Sequence, residues 1–342
     1  MSQWRAYASR LSLSDVNRRG APPAGIVFTS GRTESNNLSL LGRAPILTRR
    51  SIITTAIEHA SVRLPIERMV EDGWTLRTLP VDGGGLVALD EFRCVLDDQI
   101  GMVSVAWANN EIGALQPVWE MAQVCRSRGV RFHSDAAQAV GKIPVRIDGI
   151  DLLSMSAHKI GGPQGVGALF VGRDIELRPL QLGGGQERGR RAGTENVAAI
   201  VGMGEACRLA RIELAACGEA WVAMRDRLWA RLQAVGGVRC NGPLAGPSLP
   251  NTLNVSFAGV RGEALVAGLD LEGVAASSGS ACAAGAGEPS HVLLALGRSQ
   301  DEARDGVRFS FGVTNSLRDV ERIAEATAKV VGRIRATHRG VG

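Results

Sequence analysis

Lysine is scarce in this sequence. Of its 39 basic residues only three are lysine, namely Lys142, Lys159 and Lys329, and all the others are arginine. A Schiff base needs a primary amine, which the guanidinium of arginine cannot replace. If the protein uses an amine side chain for covalent chemistry, that side chain must therefore belong to one of these three residues.

Aromatic residues and long apolar runs are also in short supply. One tyrosine and seven phenylalanines offer little surface on which nucleic-acid bases could stack. No apolar run approaches the roughly 18 residues that a membrane-spanning helix needs. The net charge of +5 comes from positive charges scattered among acids, which favours a solvated surface over a nucleic-acid footprint. We therefore expect neither nucleic acid nor a membrane as a partner.

The six cysteines show none of the close spacings that are typical of metal ligands, so we predict no metal site. Scattered cysteines in a chain of 342 residues without a signal peptide indicate free thiols and a cytoplasmic location. Residues 1–20 are rich in arginine and serine, as a transit peptide would be, but they contain Asp15 and lead directly into a strand. We favour the remnant of a helix there over a targeting segment.

Short apolar strands alternate with helical patterns along most of the chain. The predicted strands are residues 25–29, 51–56, 75–80, 102–108, 130–133, 152–156 and 167–171. This alternation predicts an α/β fold, with a mainly parallel sheet and helices on both faces. Beyond a long helical segment at 196–235 the pattern predicts a smaller α+β domain. We therefore expect a large domain over residues 1–215 and a small C-terminal domain over residues 216–342.

Polar residues follow several of the predicted strands. Sheets of this kind bind ligands beyond the carboxyl ends of their strands, where the ends of neighbouring strands meet. The residues at these ends are Ser30 to Thr33, His59, Asn110, Asp135 and Lys159. Their convergence on one edge of the sheet is the main structural expectation.

These residue types match what pyridoxal 5′-phosphate requires, namely a lysine, an aspartate at the pyridine nitrogen, and N–H groups and hydroxyls for the phosphate. Lys159 and Asp135 satisfy the first two requirements, and residues 31–33 with Ser156 and His158 satisfy the third. Lys159 alone lies between an apolar strand and a glycine turn, which predicts a desolvated and reactive amine. The alternative is that Asp135 caps a helix and Lys159 is a surface residue.

Three further residues are candidates for chemistry. Cys282 lies among small residues in SSGSACAAGAGEPSHV, which predicts an exposed loop thiol that is either a nucleophile or a bystander. His59 follows a strand and either stacks on a planar ring or is a structural histidine. Arg308, on the strand VRFSFG, is a candidate clamp for a substrate carboxylate.

Together these motifs resemble the cysteine desulfurases, class-V aminotransferases of pyridoxal phosphate fold type I. The matching segments run in family order from Ile26 onward and are FTSGRTESNN, IEHASV, NNEIGALQP, HSDAAQAVGK, SMSAHKIGGPQGVGAL, GGGQERGRRAGTEN, SSGSAC and VRFSFG. The resemblance implies a homodimer that converts L-cysteine to L-alanine and passes the sulfur to an acceptor or iron–sulfur scaffold protein. The alternatives are a selenocysteine lyase or other class-V β-lyase, and a non-catalytic scaffold.

The resemblance also implies a role for each matching position around the cofactor ring. Lys159 would carry the cofactor covalently, and Asp135 would pair with the pyridine nitrogen. Gln138 and Asn110 would contact the phenolic oxygen of the ring. His59 would stack on the ring and help to move protons.

The phosphate and the substrate have their own implied residues. Those that would hold the phosphate are Thr33, Ser156 and His158, joined by Thr194 from the partner subunit. Arg308 would bind the carboxylate of substrate cysteine, and Cys282 would attack its sulfur.

The chain departs from the family pattern in three places. Arg32, which we count among the cofactor-binding residues, stands where the family usually has glycine or alanine; it could add a cation for the phosphate or crowd it. The family normally begins with a strand and a helical segment that carry a Thr-Thr motif and an Asn-Pro-Ser stretch. Because this chain starts later, we expect its N-terminal region to be truncated. After Cys282 the residues are AAGAG rather than a run with serine and threonine.

Overall fold

A computed structural model describes residues 23–279 and 288–339. The described chain forms two compact units. The N-terminal unit takes the chain up to Pro80 together with Val87–Ala108 and Gln116–Leu214. The C-terminal unit takes Val81–Leu86, Asn109–Leu115 and the chain from Ala215 onward. Two short segments of the first half of the sequence are therefore part of the second unit.

The N-terminal unit is built on a mixed sheet of seven described strands. These are β1 Ile26–Thr29, β2 Ser51–Thr55, β3 Thr75–Leu79, β4 Ile100–Ser104, β5 Arg131–Asp135, β6 Leu152–Ser156 and β7 Gly167–Val171. Their order across the sheet is β1-β7-β6-β5-β4-β2-β3. All neighbours from β6 to β3 run parallel, and β7 is antiparallel to both β1 and β6. The structure thereby confirms a strand at each of the seven predicted positions.

Helices connect these strands. They are α1 Arg32–Leu40, α2 Ala60–Glu71, α3 Leu89–Val95 and α4 Val118–Ser127, followed by the long α5 Val197–Gln233. Strands β2, β4, β6 and β7 are buried at every residue, as expected when both faces of a parallel sheet are covered. Apolar residues of α1 and α2, among them Leu38 and Ile66, form one core with Ile52, Met102 and Leu169 of the sheet.

Strand β4 ends four residues earlier than the sequence pattern predicts. The apolar run continues to Ala108, but the strand stops at Ser104. At Ala106 the backbone N–H donates to the carboxylate of Glu58, at 3.0 Å from Oε1, instead of to a carbonyl of a neighbouring strand. Val105 and Trp107 still donate to carbonyls of β5, so the buried Glu58 side chain replaces the ladder only at the Ala106 N–H, which faces the other way. Hydropathy alone does not reveal such a replacement.

The C-terminal unit has an antiparallel sheet of its own. Its described strands are β8 Val238–Cys240, β9 Thr252–Phe257, β10 Ser277–Ser278 and β11 Val307–Ser310, in the order β10-β11-β9-β8. The helices are α6 Gly262–Leu271, α7 His291–Ala295 and α8 Leu317–Arg339. The core contains Trp221 and Leu228 from the C-terminal part of α5, packed with Phe257, Phe309 and Val331. Among the described helices of both units, none is long and apolar enough to span a membrane.

Candidate active site

The carboxyl edge of the large sheet gathers most of the predicted site residues of the N-terminal unit. Because β1, β6, β5 and β2 run in one direction, their carboxyl ends lie at the same edge. Register brings Thr29 opposite Gly167 and Gly167 opposite Ser156. The turn after β1 therefore lies close to the turn after β6. Asp135 is the last residue of β5, the strand beside β6.

Asp135 is buried and is held by two donors. Its Oδ1 accepts the backbone N–H of Ala137 at 3.0 Å, and its Oδ2 accepts from Nδ2 of Asn36 at 2.9 Å. Asn36, on α1, also donates to Oγ of Ser61 at 2.9 Å. Sequence reasoning missed Asn36. Its signal is a polar residue on the face of α1 that also carries the buried Leu40, a position that normally takes an apolar side chain.

Arg32 reaches the same carboxylate from the first turn of α1. Its Nε lies 3.5 Å from Oδ2 of Asp135, and its Nη2 donates to Nε2 of His59 at 2.7 Å. The Arg32 side chain is only 13% exposed and that of Asp135 only 3%. The guanidinium thus lies between the aspartate and the histidine, which are the two residues predicted to hold the cofactor ring.

His59 is the N-cap residue of α2 and makes close contacts through both ring nitrogens. An arginine is always a donor, so the contact with Arg32 requires Nε2 to be the acceptor and Nδ1 to carry the proton. That proton can be donated to Oγ of Ser61, which lies 2.8 Å from Nδ1. The backbone N–H of Ser61 lies 3.0 Å from the same Nδ1 and can donate to it only in the other tautomer. The two arrangements exclude each other.

Glu58 is a second buried acid beside this group. It accepts from Oγ1 of Thr55 at 2.7 Å and from the backbone N–H of Ala106. The pKa of Glu58 is raised to about 7, chiefly by burial and to a smaller extent by the negative charge of Asp135. Sequence reasoning missed Glu58, although an acid that directly follows an apolar strand was a signal for it. The edge of the sheet therefore contains two buried carboxyl groups.

Lys159 lies in the single 3-10 turn Ala157–Ile160 that follows β6. In this turn Oγ of Ser156 lies 2.9 Å from Nδ1 of His158. Burial, the cation of Lys159 and that of Arg32 lower the pKa of His158. The prediction that Lys159 is desolvated is wrong for the single chain, in which the residue is exposed. The apolar strand ends at Ser156, and the turn carries the lysine beyond the core.

Gln138 is oriented by another lysine. Nζ of Lys142 lies 3.0 Å from Oε1 of Gln138 and 3.2 Å from its backbone oxygen. An ammonium can only donate, so Oε1 of Gln138 faces the lysine and its amide nitrogen remains to donate elsewhere. Lys142, which the sequence indicated only as one of three amines, therefore sets which way the predicted contact residue points.

The turn between β1 and α1 is shaped for an anion. Gly31 caps the helix with φ 157° and ψ −176°, a conformation that residues with a side chain rarely adopt. A Cβ on Gly167 would lie 2.6 Å from Cα of Gly31, so only glycine at 167 permits this close approach. The first intrahelical bond runs from Ser35 to Gly31, which leaves the earlier N–H groups of α1 for an anion. Thr33 is exposed in this first turn.

The glycine- and arginine-rich loop at 183–193 contacts the same helix. Arg191 donates from Nε to Oε1 of Glu34 at 2.9 Å, which ties the loop to the first turn of α1. Glu187 and Arg188 both have positive φ, at 47° and 61°, which is uncommon outside glycine and marks a locally strained backbone. Thr194 follows this loop and is exposed in the single chain.

The C-terminal unit contains two more predicted site residues. Arg308 lies on β11 and donates from Nη1 to the backbone oxygen of Asn110 at 2.6 Å. Asn109 shapes the turn that contains Asn110, because Oδ1 of Asn109 accepts the backbone N–H groups of Glu111 and Ile112. Within this unit the structure therefore brings Arg308 and Asn110 together.

Cys282, the predicted nucleophile, lies outside the described residues. The five cysteines that the structure does describe are not in disulfides, and Cys94 is the exposed one. Burial raises the pKa of Cys125 and Cys240, and it raises the pKa of Cys207 to about 12. Because the thiolate is the nucleophilic form, these three are poor nucleophiles.

Glu111 is a buried acid that sequence reasoning also missed. Its Oε2 accepts from Oγ of Ser290 at 2.6 Å, and a Cβ on Gly279 would lie 2.9 Å from the same oxygen. Gly279 and Ser290 flank the segment of the sequence that holds Cys282. Burial raises the pKa of Glu111 to about 7, although the hydrogen bond from Ser290 and the charge of Arg308 oppose this shift. The signal in the sequence was an acid in the otherwise uncharged turn NNEIGALQP.

We expect Glu111→Gln to stabilise the protein increasingly as the pH rises. The ordinary pKa of 4.5 applies to the unfolded chain and about 7 to the folded protein. Between these two pH values the protein takes up a proton when it folds, so folding becomes less favourable as the pH rises. The contribution of Glu111 to stability is full below pH 4.5 and is lost as the pH rises through 7. Glutamine mimics the protonated acid, so the variant should gain on the order of 2 kcal/mol over wild type between pH 5 and 8.5.

The measurement is the difference in thermal midpoint between the two proteins at each pH. Glu58 and His133, two other buried groups with shifted pKa values, titrate in both proteins and largely cancel in the difference. Glu120→Gln, at an exposed position of α4, should show a constant offset. A pH-independent difference for Glu111→Gln would show that Glu111 is ionised in the folded protein throughout this range.

The donor set of the N-terminal unit fits pyridoxal 5′-phosphate. Asp135 is a buried acid with fixed oxygens, and Lys159 is an exposed amine on the turn that follows β6. Ser156, which contacts His158, lies close to Gly31 at the N-terminus of α1. This is the combination of groups that the ring nitrogen, the aldehyde and the phosphate require. The guanidinium of Arg32, however, contacts the carboxylate of Asp135, which the ring nitrogen would need.

Comparison with known proteins gives the same result. The aminotransferase class-V family matches residues 18–323. The chain is 40% identical over 321 residues to the cysteine desulfurase IscS of Dictyoglomus turgidum, covering 92% of this chain and 81% of that protein. It is 42% identical over 323 residues to the cysteine desulfurase of Trichormus azollae, covering 93% and 80%.

Among solved structures, a NifS-like protein superposes with a TM-score of 0.88 at 34% identity, covering 96% of this chain and 87% of that one. The proteins of this family depend on pyridoxal 5′-phosphate, and the fold type I predicted from the sequence is confirmed. The chain therefore belongs to the class-V aminotransferases, among their cysteine desulfurases.

Proposed function

We propose that the protein is a pyridoxal phosphate-dependent cysteine desulfurase that converts L-cysteine to L-alanine and holds the sulfur as a persulfide on Cys282. The observation that carries the proposal is the buried carboxylate of Asp135, fixed by Asn36 and Ala137 at the end of β5, beside the strand that leads to Lys159. The names of the relatives favour a desulfurase over a selenocysteine lyase and over a non-catalytic scaffold.

The residues of the N-terminal unit would each have a separate role in holding the cofactor and moving protons. Lys159 would hold the cofactor covalently, and Asp135 would keep its ring nitrogen protonated. The bound cofactor supplies an electron sink that stabilises negative charge at the substrate Cα. His59, whose ring nitrogens contact Arg32 and Ser61, would stack on the ring and move protons through Nε2. Gln138 would donate its amide N–H to the phenolic oxygen, because Lys142 occupies its Oε1.

The phosphate and the substrate would be held by the remaining predicted residues. The phosphate would lie at the first turn of α1 and accept from Thr33, Ser156 and His158. The C-terminal unit would contribute Asn110 to the ring and Arg308 to the substrate carboxylate. The Cys282 thiolate would then attack the substrate sulfur, so that the carbon–sulfur bond breaks and alanine leaves while the sulfur stays on the enzyme.

The partners follow from this chemistry. A persulfide must be handed on, so we propose an acceptor or iron–sulfur scaffold protein as the recipient. We further propose a cytoplasmic homodimer in which Thr194 of one subunit helps to bind the cofactor phosphate in the other subunit. The exposed position of Thr194, on a loop tied to α1, supports this arrangement. The division into domains at residue 215 stays a prediction.

The test is sulfur transfer by Cys282→Ser. With bound cofactor, L-cysteine and a thiol reductant, wild-type protein should release alanine and sulfide in equal amounts, because each turnover breaks one carbon–sulfur bond. Cys282→Ser should keep the visible cofactor band but release no sulfide above background.

Cys94→Ser is the matched control, because Cys94 is also a free thiol and is exposed on α3. This control should turn over at the wild-type rate. Sulfide release at that rate by Cys282→Ser would show that another group accepts the sulfur. A wild-type protein with neither cofactor band nor turnover would overturn the desulfurase itself.

A further inference from the structure

The carboxylate of Asp135 already forms an ion pair with a side chain of the same protein, that of Arg32. The guanidinium of Arg32 lies 3.5 Å from Oδ2 of Asp135 and 2.7 Å from Nε2 of His59, and both side chains of the ion pair are largely buried. A protonated pyridine nitrogen needs the same carboxylate, and a ring stacked on His59 needs the space beside it. The guanidinium and the cofactor ring therefore compete for one place.

The competition centres on a single oxygen. Oδ1 of Asp135 accepts from the backbone of Ala137, and Oδ2 accepts from Asn36 while it faces Arg32. The Ala137 and Asn36 donors are fixed by the strand end and by α1. The contact with Arg32 is the one that a long, rotatable side chain can give up. A ring nitrogen can reach Oδ2 only after the guanidinium has left it.

Charge balance supports an exchange of one cation for another. Two buried acids, Asp135 and Glu58, lie in this region, and the positive charge of Arg32 acts on Glu58 as well. A buried carboxylate without a partner is strongly destabilising. A protonated pyridine ring brings one positive charge to the same place. Arg32 can therefore move away without leaving Asp135 as a buried carboxylate that lacks a positively charged partner.

The hydrogen bonds of His59 provide an independent sign of two states. With Arg32 donating to Nε2, the proton lies on Nδ1 and the cap bond from the backbone N–H of Ser61 cannot form. When Arg32 leaves, Nδ1 can accept this N–H, which is the usual N-cap bond of a helix. The geometry around His59 thus holds the contacts of both states at once.

We propose that Arg32 is an internal counter-ion for Asp135 that pyridoxal 5′-phosphate must displace in order to bind. Arg32 then lowers the affinity for the cofactor, because only the fraction of molecules with the guanidinium swung away is competent to bind. The same side chain stabilises the protein while the cofactor is absent. The inference rests on the proposed cofactor dependence of the enzyme.

The test compares Arg32→Ala with wild type after the cofactor has been stripped from both. Alanine keeps the backbone N–H at the start of α1 and removes the guanidinium together with the methylene groups that carry it. Titration with pyridoxal 5′-phosphate, followed by its visible absorption, should give a Kd at least about tenfold lower for the variant. The thermal midpoint of the stripped variant should be several degrees lower than that of wild type. Tighter binding of the cofactor together with lower stability in its absence is the signature of a displaced counter-ion.

Two further variants sharpen the comparison. Arg32→Lys keeps a cation near Asp135 but loses the fork that reaches His59, so both values should fall between wild type and Arg32→Ala. Arg131→Ala removes an arginine from the opposite end of β5, where it pairs with Asp151, and should leave the Kd unchanged. An equal or higher Kd for Arg32→Ala would overturn the proposal. If neither wild type nor Arg32→Ala binds the cofactor, the proposed function fails, and this inference fails with it.

Discussion

Lys159→Ala should lose covalent attachment of pyridoxal 5′-phosphate and, with it, desulfurase turnover by on the order of 10³-fold or more. The chain has only two other lysines, and neither suits the role. Lys142 is engaged with Gln138, and Lys329 pairs with Glu272 on the surface of the C-terminal unit. Only Lys159 follows the strand next to Asp135, on a turn where its amine is exposed to an incoming aldehyde.

Borohydride reduction followed by peptide mass mapping measures the attachment directly. In wild-type protein the reduced adduct should map to the peptide that contains Lys159, and in Lys159→Ala no adduct should form. Lys329→Ala should behave as wild type, because its side chain lies on α8 and is 60% exposed. An adduct on Lys142 in wild-type protein would show that the assignment of the lysine is wrong.

The sequence was sufficient to place the residues at the strand ends. Alternating apolar runs and glycine turns predicted β6 and β7 with the bounds that the structure has, and these put Lys159 on the turn after β6. Hydrophobic period and strand-end position are local properties, so they can be inferred from a single chain. The same reasoning was misleading for the environment of Lys159, because a local pattern does not tell how far a turn projects beyond the core.

The contacts that fix the site could not be predicted in this way. Asn36 meets Asp135 across 99 positions of the sequence, and this contact depends on the order in which the strands assemble. The reach of Arg32 toward Asp135 likewise depends on the rotamer of a long side chain. Glu58 and Lys142 act through hydrogen bonds that have no periodic signature. Polar side chains at buried positions were the available hint, and only the fold shows what each of them contacts.

Asp135→Asn should preserve the fold and lower turnover by about 10²- to 10³-fold. Asparagine has the same shape and can still accept the N–H of Ala137, but it can no longer hold a proton on the ring nitrogen of the cofactor. Its new amide also meets the donor of Asn36. Relief is available if Asn36 rotates, because Oδ1 of Asn36 is buried and has no hydrogen-bond partner among the described residues. The variant should therefore be limited in chemistry more than in stability.

Asp151→Asn is the matched control for this change. Asp151 precedes β6 at the other end of the sheet, where its carboxylate accepts the N–H of Phe132 and pairs with Arg131. Loss of this pair should cost stability but leave turnover of the folded protein within a factor of about two, because the acid is remote from the carboxyl edge. If Asp135→Asn retained wild-type turnover with bound cofactor, the ring nitrogen would not depend on this carboxylate. Arg32 and Asp135 would then form a purely structural ion pair, and Asp135→Asn would lower the thermal midpoint about as much as Arg32→Ala does.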